Sequence, residues 1–249
     1  DPAYAAYEQR KTADGRLLMA GTLLRNSFKG YANKKNPVHD FSIDPAAATI
    51  ESLRSGRLPV HEPGLPEALA KSPVTFTSDP EALRACPLIY FAKDIPTDEN
   101  NVSSLKPIED LFERIVPRLA AGTVVVLLSQ VPPGFTRSLA RRWPEMQIYY
   151  QVETLIFGNA LQRAMKPERF IVGCSDPKQP LPHTFRRPLE RFGCPILPMR
   201  YESAELCKTA INLYLCGSVT YANTLSTLCE RIGANWSEVA PALRLDRRI

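Results

Sequence analysis

Apolar residues in this chain gather into short unbroken runs separated by amphipathic stretches. Leu88-Ile89-Tyr90-Phe91, Val124-Val125-Val126-Leu127-Leu128, Gln147-Ile148-Tyr149-Tyr150 and Phe170-Ile171-Val172-Gly173 each have the length of one strand. Runs without polar alternation suit strands covered on both faces. Residues 105–119 carry the helical period instead. Upstream, the pattern predicts short strands at 16–21 and 41–44, a helix over 45–55 stopped by Gly56, a strand at 75–77 and a short helix at 80–85. Strands alternating with helices in this way predict an α/β fold built on a doubly wound parallel sheet. After residue 200 the pattern changes. Residues 203–232 read as one helix of roughly 30 residues, about 45 Å long, with Gly233 placed as its C-terminal stop. A helix of that length after such a sheet links two domains or forms a dimer interface.

That helix carries the most telling polar pattern. At 100° per residue, Lys208, Asn212 and Asn223 fall at roughly 0°, 40° and 60°, while Cys207, Ile211, Tyr214, Ala222, Leu225 and Cys229 take the other side. One cation beside two amides suits a site where negative charge develops on an oxygen. A solvated polar face would produce the same stripe.

Composition narrows the class. The chain has 249 residues, 44% hydrophobic and 23% charged, as ordinary globular proteins do. No run approaches the ~18 apolar residues of a membrane span. The opening Asp1-Pro2-Ala3-Tyr4 lacks both an initiator Met and the basic-then-apolar pattern of a signal peptide. Six cysteines without a CxxC, and three histidines, speak against a zinc site and for a reduced, cytoplasmic protein. The net charge of +5 is dispersed; it favours a small anionic ligand and gives no argument for nucleic acid.

Several motifs, in order, resemble the nucleotide-sugar (UDP-glucose/GDP-mannose) 6-dehydrogenases. Arg57-Leu58-Pro59-Val60-His61-Glu62-Pro63-Gly64-Leu65 is similar to that family's G-x-x-P-x-x-E-P-G-L loop. Ser129-Gln130-Val131-Pro132-Pro133-Gly134-Phe135-Thr136 resembles its S-T-V-P-x-G-T-T turn. Glu153, Gly158-Asn159-Ala160 and Lys166-Pro167-Glu168-Arg169-Phe170-Ile171-Val172-Gly173 resemble P-E-F-L-x-E-G-x-A followed by P-x-R-I-V-x-G. Leu245-Asp246-Arg247-Arg248-Ile249 is close to L-D-x-R-I. The resemblance covers roughly residues 42 to 249. It implies a Rossmann-like dinucleotide-binding domain over 1–200, whose first 40 residues are atypical, and a central helical, dimerising and substrate-contacting region over 201–249.

The same resemblance implies NAD as cofactor and oxidation of a nucleotide-sugar C6 alcohol to a uronate in two hydride transfers. Lys208 and Asn212 would stabilise oxyanions on C6, and Glu153 would be the acid/base group that handles water. Asn223 and Arg248 would contact the nucleotide sugar or line the dimer interface. Gly21, Asp44 and Gln130 would sit on the cofactor side. A homodimer through the 203–232 helix follows, with no nucleic-acid or membrane partner. Read without the family, Glu153 is a surface carboxylate, and Asp44 could equally be a helix N-cap before Pro45.

The chain departs from the family pattern on the cofactor side. The expected Gly-x-Gly-x-x-Gly turn reads Gly21-Thr22-Leu23-Leu24-Arg25-Asn26, and V-x-T-P reads Lys93-Asp94-Ile95-Pro96. Gln130 stands where a threonine is usual, and Phe157 replaces the second glutamate of Glu-x-x-x-Glu. No cysteine here matches the family's G-G-x-C-F-P-K-D nucleophile. Cys194 precedes the Lys208 helix and reads as a structural thiol. The C-terminal sugar-nucleotide domain is therefore expected to be absent from this sequence, and residues 1–249 alone are expected not to turn over. Two classes remain open: an incomplete nucleotide-sugar dehydrogenase, or a non-catalytic relative that keeps the fold as a dimerising or regulatory module.

Overall fold

The computed structural model describes residues 40–43, 47–58, 61–70, 74–100, 102–156 and 158–247. The chain divides into two compact units, Asp1–Leu206 and Cys207–Ile249.

In the first unit, β1 (Asp40–Ile43) and β2 (Val74–Thr77) pair in parallel as a two-stranded sheet, with α1 (Ala47–Arg54) and α2 (Leu65–Ala70) between them in sequence. β3 (Leu88–Phe91), β4 (Val124–Leu127), β5 (Gln147–Gln151), β6 (Phe170–Cys174) and β7 (Ile196–Arg200) form a five-stranded sheet in sequence order. The helices α3 (Lys106–Ile115), α4 (Phe135–Arg142), α5 (Ala160–Met165) and α6 (His183–Glu190) connect successive strands. α7 (Tyr201–Ile232) begins in the first unit and runs through the second, which α8 (Trp236–Leu245) follows.

All four residues of β4 are buried, the outcome expected of an apolar run covered on both faces. On one face Val124, Val126 and Val172 pack with Phe185 and Leu189 of α6. On the other, α3 buries Ile108, Phe112 and Ile115, a helical i, i+4, i+7 stripe, and the Phe112 ring lies 4.2 Å from that of Phe91. Each fully buried Phe contributes roughly 1.5–3 kcal/mol of burial free energy. The sheet is Rossmann-like, with one correction to the parallel expectation: β6 runs antiparallel to β5, pairing Tyr150 with Gly173 and Gln151 with Val172. The physical reason is α5. It has only six residues, about 9 Å of helix, and its Leu161 and Ala164 pack on Leu65 of α2. It does not carry the chain back to the start of β5, which a parallel crossover needs.

The expected strands at 41–44, 75–77, 88–91, 124–128, 147–150 and 170–173 are present to within a residue or two. The expected helix over 105–119 is α3 followed by a 3-10 turn at Val116–Arg118, and the 80–85 helix is a 3-10 turn at Pro80–Leu83 capped by Asp79. The strand expected at 16–21 lies outside the described residues. The sequence pattern did not single out α2, α4, α5, α6, β7 or α8. The three α7 thiols are not uniformly buried: Cys229 is, Cys207 is half-buried and Cys216 is exposed. Among the described residues no helix is long and apolar enough to cross a membrane.

Candidate functional site

In open α/β sheets, ligands bind beyond the carboxyl ends of the parallel strands. β3, β4 and β5 are the parallel trio, with Phe91 paired to Leu127 and Leu127 to Tyr150. Gln130 and Glu153 each follow three residues after that Leu127–Tyr150 pair, so the structure brings these two expected site residues to one sheet edge. Gln130 is exposed and Glu153 half-buried. The turns at this edge are tied together, because the completely buried Ser129 donates its hydroxyl to the Lys93 carbonyl.

The loops leaving β4 and β5 share one local construction. Each carries, just ahead of its helix, a glycine with positive φ, Gly134 at 98° and Gly158 at 77°, a conformation that side-chain-bearing L-residues resist. Each glycine turns its N–H and that of the second residue after it in the same direction, making a small anion-binding concavity at a helix N-terminus. In both, a buried carboxylate from a distant part of the chain fills it. Glu205 of α7 accepts from Gly134 N (2.6 Å) and Thr136 N (2.7 Å). Glu62 accepts from Gly158 N (2.9 Å), Ala160 N (2.7 Å) and Leu161 N (3.3 Å). Glu205 is completely buried and Glu62 is 5% exposed.

The Glu153 loop is held at further points. Val152 N donates to Ile171 O at 3.1 Å, Arg163 of α5 donates to Thr154 O at 3.0 Å, and Leu155 packs with the Leu65–Ala164 cluster. The Glu153 carboxylate accepts from Thr154 N at 3.0 Å. Beside it, Gln151 closes β5. It is completely buried, and among the described residues neither its amide oxygen nor its nitrogen has a hydrogen-bond partner. This carboxamide is one of several described side chains, Thr136 and Trp143 among them, that keep a buried polar atom unsatisfied.

The first turn of α7 is anchored within the same unit. Tyr201 is buried and donates its hydroxyl to Ile148 O at 2.7 Å; burial pushes that phenol up to about 12. Arg137 of α4 forms a two-pronged pair with Glu202, the second contact at 2.9 Å. The hydrogen bond from Arg137 holds the Glu202 carboxyl down to about 2.

The remaining expected site residues lie in the second unit or outside the described residues. Lys208 is half-buried, and Asn212 and Asn223 are exposed, all three on the continuous helix α7. Gly21, Asp44, Arg248 and also Phe157 lie outside the described residues. Cys194 packs beside the Phe185 cluster and burial raises its thiol pKa, the opposite of what a nucleophile needs. Glu205 was not singled out by the sequence pattern, and Glu62 only as a motif letter. The available signal for Glu205 was a carboxylate beside Ala204 and four residues after Tyr201, on what becomes a buried helical stripe.

The fold and this edge define a Rossmann-like domain of the dinucleotide-binding type. Residues 30–187 match the NAD binding domain of the UDP-glucose/GDP-mannose dehydrogenase family, and residues 202–249 match its central domain. The chain belongs to the UDP-glucose/GDP-mannose dehydrogenase family. It is 31% identical over 213 residues to a UDP-glucose 6-dehydrogenase of Bacillus subtilis, covering 80% of this chain and 46% of that protein. It is 29% identical over 231 residues to the Rattus norvegicus UDP-glucose 6-dehydrogenase, covering 83% and 46% respectively. A UDP-glucose dehydrogenase structure from Pyrobaculum islandicum superimposes with a TM-score of 0.77 at 27% identity, over 92% of this chain and 55% of that one. A GDP-mannose dehydrogenase from Pseudomonas aeruginosa shares the fold at a TM-score of 0.77 and 20% identity, over 93% and 55%. The chain thus spans about half the length of the relatives it matches.

The cofactor that goes with this domain is NAD. The described strand edge, with its turns tied together by Ser129 and Lys93, is of the kind that fits a dinucleotide.

Proposed function

We propose that this chain is the NAD-binding and central part of an enzyme that oxidises the C6 alcohol of a UDP-sugar to the uronate, through two hydride transfers and the addition of one water. The observation that carries this reading is the match, in order, of the two consecutive family domains over residues 30–187 and 202–249. NAD, when bound, supplies the hydride acceptor. Gly21, Asp44 and Gln130 contact the cofactor. Glu153 takes and returns the proton of the attacking water, while Lys208 and Asn212 donate to the oxyanion on C6. Asn223 and Arg248 hold the nucleotide sugar. The domain boundary near residue 200 belongs to the same reading.

The chain acts as a homodimer through α7 in this proposal. The supporting observation is the exposure of Leu213, Tyr214, Leu215, Val219 and Tyr221 on that helix, each 60% or more, an unusual run of apolar surface for a monomer. No disulfide joins any two of the six cysteines, which suits a reducing cytoplasm. Lacking a cysteine in the family's nucleophile motif, residues 1–249 alone bind NAD without turning over.

Calorimetric titration of NAD into residues 1–249 is the direct test. Micromolar binding supports a working cofactor site despite the altered turn at Gly21. No binding up to millimolar NAD overturns the enzymatic reading and favours the non-catalytic, dimerising alternative, which the exposed face of α7 would then carry. Steady NADH formation from UDP-glucose by residues 1–249 would refute the claim that this portion cannot turn over.

A further inference from the structure

Glu62 stands outside every role assigned above, yet it is one of the most constrained carboxylates in the molecule. It is 5% exposed, and three backbone N–H groups from residues 158–161 point at its two oxygens. No cation is paired with it among the described residues. Its two oxygens are met instead by peptide N–H groups at the start of α5. The loop that presents it is locked from the other side, because a Cβ on Gly64 would come within 2.9 Å of Leu161 Cδ2, and Leu65 is buried against Ala164.

What hangs on this clamp is the segment between β5 and α5. Glu62 fixes the first residues of α5; α5 carries Arg163; Arg163 donates to Thr154 O; and Thr154 N donates to the Glu153 carboxylate. We infer that Glu62 is a positioning residue for Glu153, with its carboxylate filling the Gly158–Leu161 concavity so that the acid/base loop is set before substrate arrives. Glu205 fills the matching concavity at Gly134–Thr136 and does the same for the Gln130 loop. A loop that is already ordered keeps its reacting group in place at no cost during the reaction, and a misplacement of about 1 Å costs on the order of 100-fold in rate. This inference rests on the role proposed for Glu153.

The substitution Glu62→Gln separates the clamp from general stability. The Gln oxygen can still accept from Ala160 and Leu161, whereas its NH2 group faces the Gly158 N–H and cannot accept from it. In the full-length protein, amide hydrogen exchange at Gly158 should speed up about tenfold, with Ala160 and Leu161 little changed. Glu62→Ala should release all three amides. Added formate should saturably restore protection in that variant, which equal ionic strength of a bulky anion should not do. The kcat for nucleotide-sugar oxidation should fall at least tenfold in Glu62→Ala while KM for NAD stays within about twofold, and formate should recover it.

Unchanged exchange at Gly158 in Glu62→Gln, or uniform loss of protection across the chain, overturns the clamp. The expected exchange pattern with unchanged kcat overturns the positioning role. If the unmutated full-length protein oxidises no nucleotide sugar, the function proposed for Glu153 fails, and the exchange pattern with formate rescue still decides the clamp.

Discussion

The loops after β4 and β5 solve one problem with two different anchors. Both place a positive-φ glycine ahead of a short helix, and both fill the resulting ring of N–H groups with a carboxylate. The β4 loop takes its carboxylate from α7, 69 and 71 residues later in the chain. The β5 loop takes its own from the turn before α2, more than 90 residues earlier. Glu205 projects from a rigid helix into complete burial; Glu62 projects from a loop that is itself held by Leu65. The helix-borne anchor should matter more for stability, because Glu205 and its partner Thr136 are both completely buried. The loop-borne anchor should matter more for the role proposed for Glu153.

The sharpest way to break that comparison is paired truncation. Glu205→Ala leaves the buried Thr136 N–H and the half-buried Gly134 N–H without an acceptor and should cost about 3 kcal/mol, whereas Glu62→Ala should cost about 2 kcal/mol because Gly158 is exposed and its N–H can turn to water. Urea unfolding measures both, and a larger loss for Glu62 would reverse the ranking. Next come the glycines. A Cβ on Gly134 or Gly158 meets no atom within 4 Å, so Gly134→Ala and Gly158→Ala should each cost about 1 kcal/mol from backbone conformation alone. Unequal costs would mean that the two concavities differ in more than their anchors.

Tyr201→Phe removes the hydrogen bond to Ile148 O and should cost close to 1 kcal/mol. Its pH signature is separate. The phenol is raised to about 12 in the folded state from an ordinary value near 10. Its contribution is therefore complete below pH 10 and is lost as pH rises through about 12, and alkaline unfolding of wild type against Tyr201→Phe reads the difference.

The smallest effect belongs to the exposed tie between the same two helices that Glu205 joins. The Arg137 and Glu202 side chains are 30% and 39% exposed, so solvent screening limits the pair to about 0.5 kcal/mol. Because the Glu202 carboxyl is held down to about 2, that contribution is present above its unfolded value near 4.5 and fades as pH falls toward 2. Glu202→Gln should therefore be slightly less stable than wild type at pH 7, with the gap closing as pH falls through about 2. A difference that persists in acid would show that packing, not charge, joins α4 to α7 there.

Much of the frame was legible from one-dimensional pattern. Strands β3, β4 and β5, helix α3 and the 32-residue α7 announce themselves, because their burial follows directly from local periodicity. Short helices such as α2 and α5, of six residues each, do not. They complete too few turns for a period, and they form because distant residues supply what their own sequence lacks. The reversal of β6 was illegible for a related reason: it depends on where α5 packs, not on the apolar run of Phe170–Cys174 itself. Of the expected site, Gln130 and Glu153 come to one edge because equal spacing from β4 and β5 compels it. The polar stripe of Lys208, Asn212 and Asn223 lies along α7 as the wheel predicted, and its exposure rises from half-buried Lys208 to the exposed amides.

The sequence by itself determined the alternation of β and α, the long terminal helix and, through ordered motifs, the family, because each of these is written in neighbouring residues. Only the tertiary structure decided that Glu62 and Glu205 are interior anchors, that β6 is antiparallel and that Gln151 ends β5 with an unsatisfied amide. These depend on which peptide N–H groups a carboxylate or amide meets after folding. That pairing is set by packing between segments about 70 to 100 residues apart, which no local pattern encodes.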